Sequence, residues 1–573
     1  MTQTAGYCWG PQVEAQGTRF RLWAPAQPRV VLELGDGTCM DMRAGNHGWH
    51  EVATHAPPGT TYRFRIGDTS FPDPASRAQS GDVHGWSVVT VPTHEPMEWR
   101  GRPWQEAVIY EMHVGLAGGF RAAAEQLGSL AELGVTAIEL MPIADFPGAR
   151  NWGYDGVLPF APDEAYGSPP DLAFLIHSAH THGIMVLLDV VYNHFGPDGN
   201  YLSLHAPQFF RGDCPTPWGD AIDFRQLPVR RFFIENALYW INDVGFDGLR
   251  LDAVHAIQDR EFLGELAAAV RDSVAADRHV HLVLENENND ASLLGQFDAQ
   301  WNDDIHHALH VMLTGERDGY YEDFAASPAN DLARALREGF VYQGQHSKHR
   351  GAPRGSPSAQ LATTSFINCL QNHDQVGNRA FGERLTSLAD AWAVKAAAEL
   401  LMLCPHIPMV FMGEEVGASQ PFLYFTDHRN TQLANAVREG RRTEFAKFPA
   451  FANARTRERI PDPNAASTFE MSKPQADNAY ACQWRALYRN LIAARRTHIV
   501  PHLANAHGDV SHVISPSAVM ARWTLNDGSR LTLAANLGAD PVQASLLPKT
   551  VPFWGTCNGS LLAPFTTLAW IER

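Results

Sequence analysis

Cysteine is scarce in this sequence. Seven are scattered along 573 residues (Cys8, Cys39, Cys214, Cys369, Cys404, Cys482 and Cys557), with no CxxC spacing. That excludes a disulfide framework and reads as a set of reduced thiols. Long apolar runs are absent as well. The nearest, residues 400–412, is interrupted by Pro405, His406 and Pro408, and falls short of the ~18 residues that suggest a spanning helix. Residues 1–17 hold no basic start followed by an apolar run, so no signal peptide is expected and the protein is read as cytoplasmic. Positive charge is in deficit: 45 Lys and Arg against 63 Asp and Glu leave −18. Phosphate backbones and anionic bilayers would repel such a chain, so neither nucleic acid nor membrane is an expected partner. A neutral substrate suits this sign. No GxxxxGK phosphate loop is present.

What is present is ordinary globular material, 45% hydrophobic and 19% charged, arranged in three stretches. Residues 1–100 read as an N-terminal β-sandwich of the carbohydrate-binding type. Residues 20–25, 29–34 and 61–66 alternate apolar with polar side chains between Gly, Asp and Pro turns. Residues 91–103 read as a linker. From residue 107 the rhythm becomes strand, helix, strand. Apolar strands are predicted at 108–113, 135–140, 184–190, 248–252 and 281–285, with helices at 122–133, 171–182, 229–242 and 261–275. Continuous apolar strands alternating with helices imply a parallel sheet buried on both faces. Over residues 101–498 that pattern suits an α/β fold, a TIM (β/α)8 barrel with insertions, better than an open sheet. Residues 499–573 read as a small C-terminal β domain.

Polar residues gather at the ends of predicted barrel strands, where barrel enzymes keep their active sites. His194 follows 189–193. Arg250 and Asp252 end 248–252 and, two apart on a strand, share a face. Glu285 ends 282–285. His373 and Asp374 follow 366–372. Any one of them alone could be a helix cap or a structural ion pair; three carboxylates, two His and one Arg in order at one barrel mouth point to function. Several carboxylates without metal-ligand spacing suit glycosyl hydrolysis or transfer. One carboxylate attacks the anomeric carbon, a second protonates the leaving oxygen, and a nearby Arg keeps the first ionised.

The segments DVVYNH (189–194), GLRLDAVH (248–255), LVLE (282–285) and QNHD (371–374) resemble the four signature regions of the alpha-amylase family of glycoside hydrolases, and the resemblance extends over essentially the whole chain. It implies a retaining mechanism, with Asp252 as nucleophile, Glu285 as general acid/base and Asp374 as the third carboxylate. Arg250, His194, His373 and Tyr154 in NWGYD (151–155) are implied to surround the reacting sugar, and His255 to contact substrate. The stretches 139–155, 216–219, 301–307, 313–321, 372–384, 411–415 and 421–428 are most similar to the branch that cleaves the α-1,4 bond beside the terminal trehalose of maltooligosyltrehalose. That branch implies α-glucan substrates and a maltooligosyltrehalose synthase as pathway partner. On the leaving-group side it points to Trp218, Asp304, His307 and Glu316. A 1,4-alpha-glucan branching transferase is the alternative reading.

No cofactor and no metal are expected. Asn193 resembles a calcium-binding position of many amylases, but a loop hydrogen bond is the preferred reading. The segment HHALH (306–310) reads as subsite and helix residues, and QHSKH (345–349) lacks the Cys or carboxylate of a zinc site. The basic run 437–442 reads as a solvated face. In LENENND (284–290), strand register favours Glu285 as the acid, with Glu287 as the alternative.

Overall fold

Side chains two apart on a strand point the same way. On a barrel strand one such set must face inward. In the computed structural model, which describes residues 7–91, 98–216, 219–475, 479–557 and 559–573, eight parallel strands close a barrel. They are β1 (Ile109–Met112), β2 (Ala137–Leu140), β3 (Met185–Val190), β4 (Gly248–Leu251), β5 (His281–Leu284), β6 (Ala299–Trp301), β7 (Phe366–Cys369) and β8 (Ile407–Phe411). The lower interior is apolar: Ile109, Ala137, Met185, Leu187, Val283, Ala299, Ile367 and Met409 form one cluster. Continuing upward by twos gives Glu111, Glu139, Asp189 and Arg250, all buried. The barrel is therefore filled with side chains, apolar below and charged above.

The expected strands at 108–113, 135–140, 184–190, 248–252 and 281–285 appear with trimmed ends. The apolar run 400–412 divides between helix Ala391–Leu403 and strand β8. Helix Phe120–Leu133 stops at Gly134, whose φ of 103° is a left-handed cap that a side chain would strain. Helix Leu227–Leu238 passes into a π turn, Tyr239–Val244, ended by Gly245 at φ 100°.

Two antiparallel sheets precede the barrel. Phe20 and Leu22 of Gly17–Trp23 pack against Leu32, Tyr62, Phe64 and Phe71 of the second sheet. Its aromatics serve packing: Trp9 lies edge-on to Phe209 and Phe232 of the barrel domain. The amides of Cys8 and Trp9 donate to Glu235 at 2.8 and 2.9 Å, fixing that end to the barrel. Of the expected linker, residues 92–97 lie outside the described residues. After helix Ala481–His498, four antiparallel strands from His507–Ser515 to Thr566–Glu572 form the C-terminal sheet. Trp523 Nε1 donates to the Leu336 carbonyl at 2.8 Å and holds that sheet against the barrel helices. No helix among the described residues is long and apolar enough to cross a membrane.

Candidate active site

The parallel register places Asp189 of β3 beside Arg250 of β4. Arg250 is fully buried and its Nη1 donates to both Asp189 oxygens, at 2.9 and 2.8 Å, and to Asp252 at 2.8 Å. Its Nη2 lies 3.9 Å from Glu285. The guanidinium carbon sits over the Trp301 ring, 4.0 Å from its centroid. One cation thus sits between three carboxylates at the top of β3, β4 and β5.

A second chain of contacts meets the first. The Tyr154 hydroxyl donates to Asp189 at 2.7 Å and stands 2.8 Å from His373 Nε2. His373 Nδ1 meets Glu111, and the His373 amide donates to the same carboxylate at 3.0 Å. Asp374 lies 3.4 Å from His373 Nε2. Burial disfavours the imidazolium, but Asp374 and Glu111 outweigh it and raise the His373 pKa to about 9. A charged ring donates from both nitrogens, so the proton order runs from His373 to Glu111 and to Tyr154, and from Tyr154 to Asp189.

Glu285 is held differently. Its Oε2 accepts the Ala253 amide at 2.6 Å. Ala253 has φ 40° and ψ 47°, a left-handed conformation costly for a residue with a Cβ. The strain falls directly after Asp252 and turns that amide toward Glu285. Burial lifts the Glu285 pKa well above the usual range; Arg250 opposes this, while Asp252, Asp303 and Asp374 reinforce it. Burial, then Asp374, likewise raises Asp303 to about 7. Burial and the neighbouring carboxylates thus favour the protonated form of Glu285. Asp252 has the Arg250 guanidinium in direct contact at 2.8 Å.

These groups open into a cavity of about 460 Å³. Of the residues singled out in the sequence, Tyr154, His194, Asp252, His255, Glu285, His307 and Asp374 line it. Arg250 and His373 lie just beneath, in contact with the lining. His194 stands 2.9 Å from the Tyr154 carbonyl, and His307 packs on Tyr320 and Phe324. Trp218 lies outside the described residues. Glu287 is half exposed and paired with Arg350.

Four expectations are corrected. Asp304 does not reach the cleft. It is fully buried and accepts from the amides of Val341 and Tyr342, from Asn289 and from Arg354 at 2.8, 3.0, 2.8 and 2.6 Å. Helix Asp303–Thr314 turns its first residue, Asp303, into the cavity and the next one into the protein. Glu316 is likewise absent from the lining, held by Arg379 at 2.7 and 2.9 Å and His310 at 2.8 Å. In the basic run 437–442, Arg441 is not solvated. It is buried against Tyr424 and donates to the carbonyls of Gly377 and Arg379 at 2.5 and 3.1 Å. Asn193 is buried and its side-chain amide makes no hydrogen bond to another described residue, contrary to the loop bond expected of it.

Sequence reasoning passed over Glu111, Glu139 and Asp189, whose carboxylates sit inside strands read as apolar. It also missed Asp303, Asp323, Arg350 and Arg354, which line the cavity. Among the described residues no group of three or more His, Cys, Asp or Glu side chains is arranged to hold a metal ion.

A closed parallel barrel with this carboxylate mouth, an N-terminal sheet domain and a small C-terminal β domain is the architecture of an alpha-amylase-type glycoside hydrolase. The model of the alpha amylase catalytic domain matches residues 74–208, and a domain of unknown function, DUF3459, matches residues 506–570. The chain is 41% identical over 459 residues to the malto-oligosyltrehalose trehalohydrolase of Saccharolobus solfataricus, covering 76% of this chain and 80% of that protein. It is 39% identical to that of Deinococcus radiodurans, over 94% of this chain and 90% of that one. A solved structure from Salmonella typhimurium, provisionally named an alpha amylase, superposes with a TM-score of 0.94 at 43% identity, covering 99% and 100% of the two chains. The chain belongs to the malto-oligosyltrehalose trehalohydrolase family of glycoside hydrolases.

Proposed function

We propose that this chain cleaves the α-1,4 bond next to the terminal trehalose of maltooligosyltrehalose, with retention of configuration. Asp252, ionised beside Arg250, attacks the anomeric carbon. Glu285 gives its proton to the leaving oxygen, and trehalose departs. The glucan is left as an ester on Asp252. Glu285, now a carboxylate, takes a proton from water, whose oxygen attacks the same carbon from the face that trehalose vacated. The maltooligosaccharide leaves with its α configuration, Asp252 is ionised again and Glu285 is protonated. Asp374 binds ring hydroxyls, and Tyr154 stacks on the sugar face. A maltooligosyltrehalose synthase would supply the substrate.

The observation that carries this reading is the unequal treatment of two neighbouring carboxylates by one cation. Arg250 touches Asp252 at 2.8 Å and stays 3.9 Å from Glu285, and pairs of carboxyls with divergent environments divide into base and acid. The Glu287 side chain is 51% exposed and paired with Arg350, whereas that of Glu285 is 13% exposed. A branching transferase would use the same pair. The full-length likeness to proteins named trehalohydrolases favours hydrolysis. Glu285→Gln should abolish trehalose release from maltotriosyltrehalose, while Glu287→Gln retains it; the reverse pattern would reassign the acid. Branched products from amylose, read by iodine staining, would favour the transferase.

A further inference from the structure

A second cavity lies at the opposite end of the barrel from the reacting carboxylates. Its volume is about 370 Å³, within the range of small-molecule sites. Val108 and Thr136 line it and directly precede β1 and β2. Strand β1 pairs with β2 on one side and with β8 on the other. The cavity therefore opens beneath these strands, whereas Asp252 and Glu285 emerge above β4 and β5. The last turns of helix Ala481–His498 supply another wall.

The charge in this cavity runs against that of the chain, which carries −18 overall. Arg102, Arg495 and Arg496 line it against one carboxylate, Glu106, among the described residues. Arg102 Nη2 donates to Glu106 at 2.7 Å and Nη1 to the Gly183 carbonyl at 3.2 Å. Its Nε is buried and makes no hydrogen bond to another described residue. Arg495 is fully buried. It donates to the carbonyls of Cys404 and His406, just ahead of β8, at 2.5 and 2.7 Å. Its Nε has no partner among the described residues. Burial pulls the Arg495 pKa down to about 10, and no carboxylate among the described residues offsets this. A buried guanidinium without a counter-charge is costly, and an anion in the cavity would relieve that cost. Arg496, the next residue, is exposed.

Three guanidiniums and one carboxylate leave two positive charges. A phosphate monoester carries about −1.5 to −2 at neutral pH and three strong acceptor oxygens, which guanidinium forks match in geometry. A single carboxylate would cancel less. The cavity has room for more than a phosphate group, and Val108, Ile492 and Val500 give it an apolar wall.

We propose that this cavity binds a small phosphate ester of about hexose phosphate size, with Arg102, Arg495 and Arg496 holding the phosphate and the apolar wall covering the organic part. The site lies beneath the barrel, so its occupant leaves the cleft open to substrate.

Isothermal titration calorimetry of the full chain tests this with glucose 6-phosphate, glucose 1-phosphate, inorganic phosphate and citrate. Thermal unfolding of each protein accompanies it. At least one ester should bind and raise the unfolding temperature, and inorganic phosphate and citrate should bind more weakly. Arg496→Ala, on the exposed side, should weaken the ester about 10-fold. Glu106→Gln removes the carboxylate that competes for Arg102 and should tighten it. Saturating maltotetraose, which occupies the cleft, should leave the ester's affinity unchanged. No binding of either ester, binding indifferent to both substitutions, or displacement by maltotetraose overturns the site. Inorganic phosphate or citrate that binds as tightly as the esters overturns the assignment to a phosphate ester.

Discussion

Glu111→Gln isolates the charge that faces His373 from below. Glutamine preserves the shape and an acceptor for the imidazole Nδ1–H, but removes the negative charge. Glu111 and His373 are both about 1% exposed, so solvent screens neither. The folded His373 pKa of about 9 lies above the ordinary 6.5, and at about 1.4 kcal/mol per factor of ten the difference corresponds to roughly 3 kcal/mol. A histidine raised in the folded state contributes its stability below the unfolded value and loses it as pH rises through the folded one. The contribution is therefore full below pH ~6.5 and gone above pH ~9. Asp374 supplies part of it, so Glu111→Gln should destabilise the protein by about 1–3 kcal/mol at pH 6. The gap should close by pH 10, where wild type has an uncharged His373 over a buried carboxylate. Urea unfolding midpoints of both proteins from pH 6 to 10 give the comparison. A gap that stays constant across this range, or widens toward pH 10, would refute the charged His373. Tyr154 and Asp189 hang on the same ring, so kcat of the variant should fall as well.

Other outcomes follow from the same contacts. Activity should decline on the alkaline side as Glu285 loses its proton, because only the protonated form serves the leaving oxygen; with an activated substrate that needs no leaving-group protonation, Glu285→Gln should lack that alkaline limb in its first step. Asp304→Asn should cost about 3–5 kcal/mol of stability, since it strands the buried Arg354 charge, and calorimetry should register this without any change in trehalose-over-glucan preference beyond what loosening of the hairpin at 345–354 causes. Asp252→Asn should leave no covalent glycosyl-enzyme to trap with a fluorinated glucoside, whereas Asp374→Asn should still form it slowly, as read by mass spectrometry.

Much of this was legible in the sequence because barrel chemistry is written at strand ends. Asp252 and Glu285 each directly follow an apolar strand, Gly248–Leu251 and His281–Leu284, and such a run reads as a buried strand whose next residue emerges at the mouth. Strand β6 is only Ala299–Trp301, too short to show a period, and β8 was hidden in an apolar run shared with the preceding helix. Glu111, Glu139 and Asp189 were passed over for a related reason: a carboxylate inside an apolar strand looks like an interruption until the fold brings Asp189 to Arg250 and Glu111 to His373. Asp303 and Asp304 are adjacent on one helix turn, and only the helix axis decides which faces the cleft. The hairpin at 345–354 carries no periodic signal. Its position depends on Asp323 and the Glu287 carbonyl, which are distant in sequence and brought together by the barrel.

The central claim is that this site releases trehalose by an acid at Glu285. The most direct measurement is product analysis after incubation with maltotriosyltrehalose, beside maltopentaose, for wild type and Glu285→Gln. Free trehalose from the first substrate, little cleavage of the second and loss of both in the variant is the predicted result. Cleavage of maltopentaose without trehalose from the capped substrate, or full activity in the variant, would contradict it.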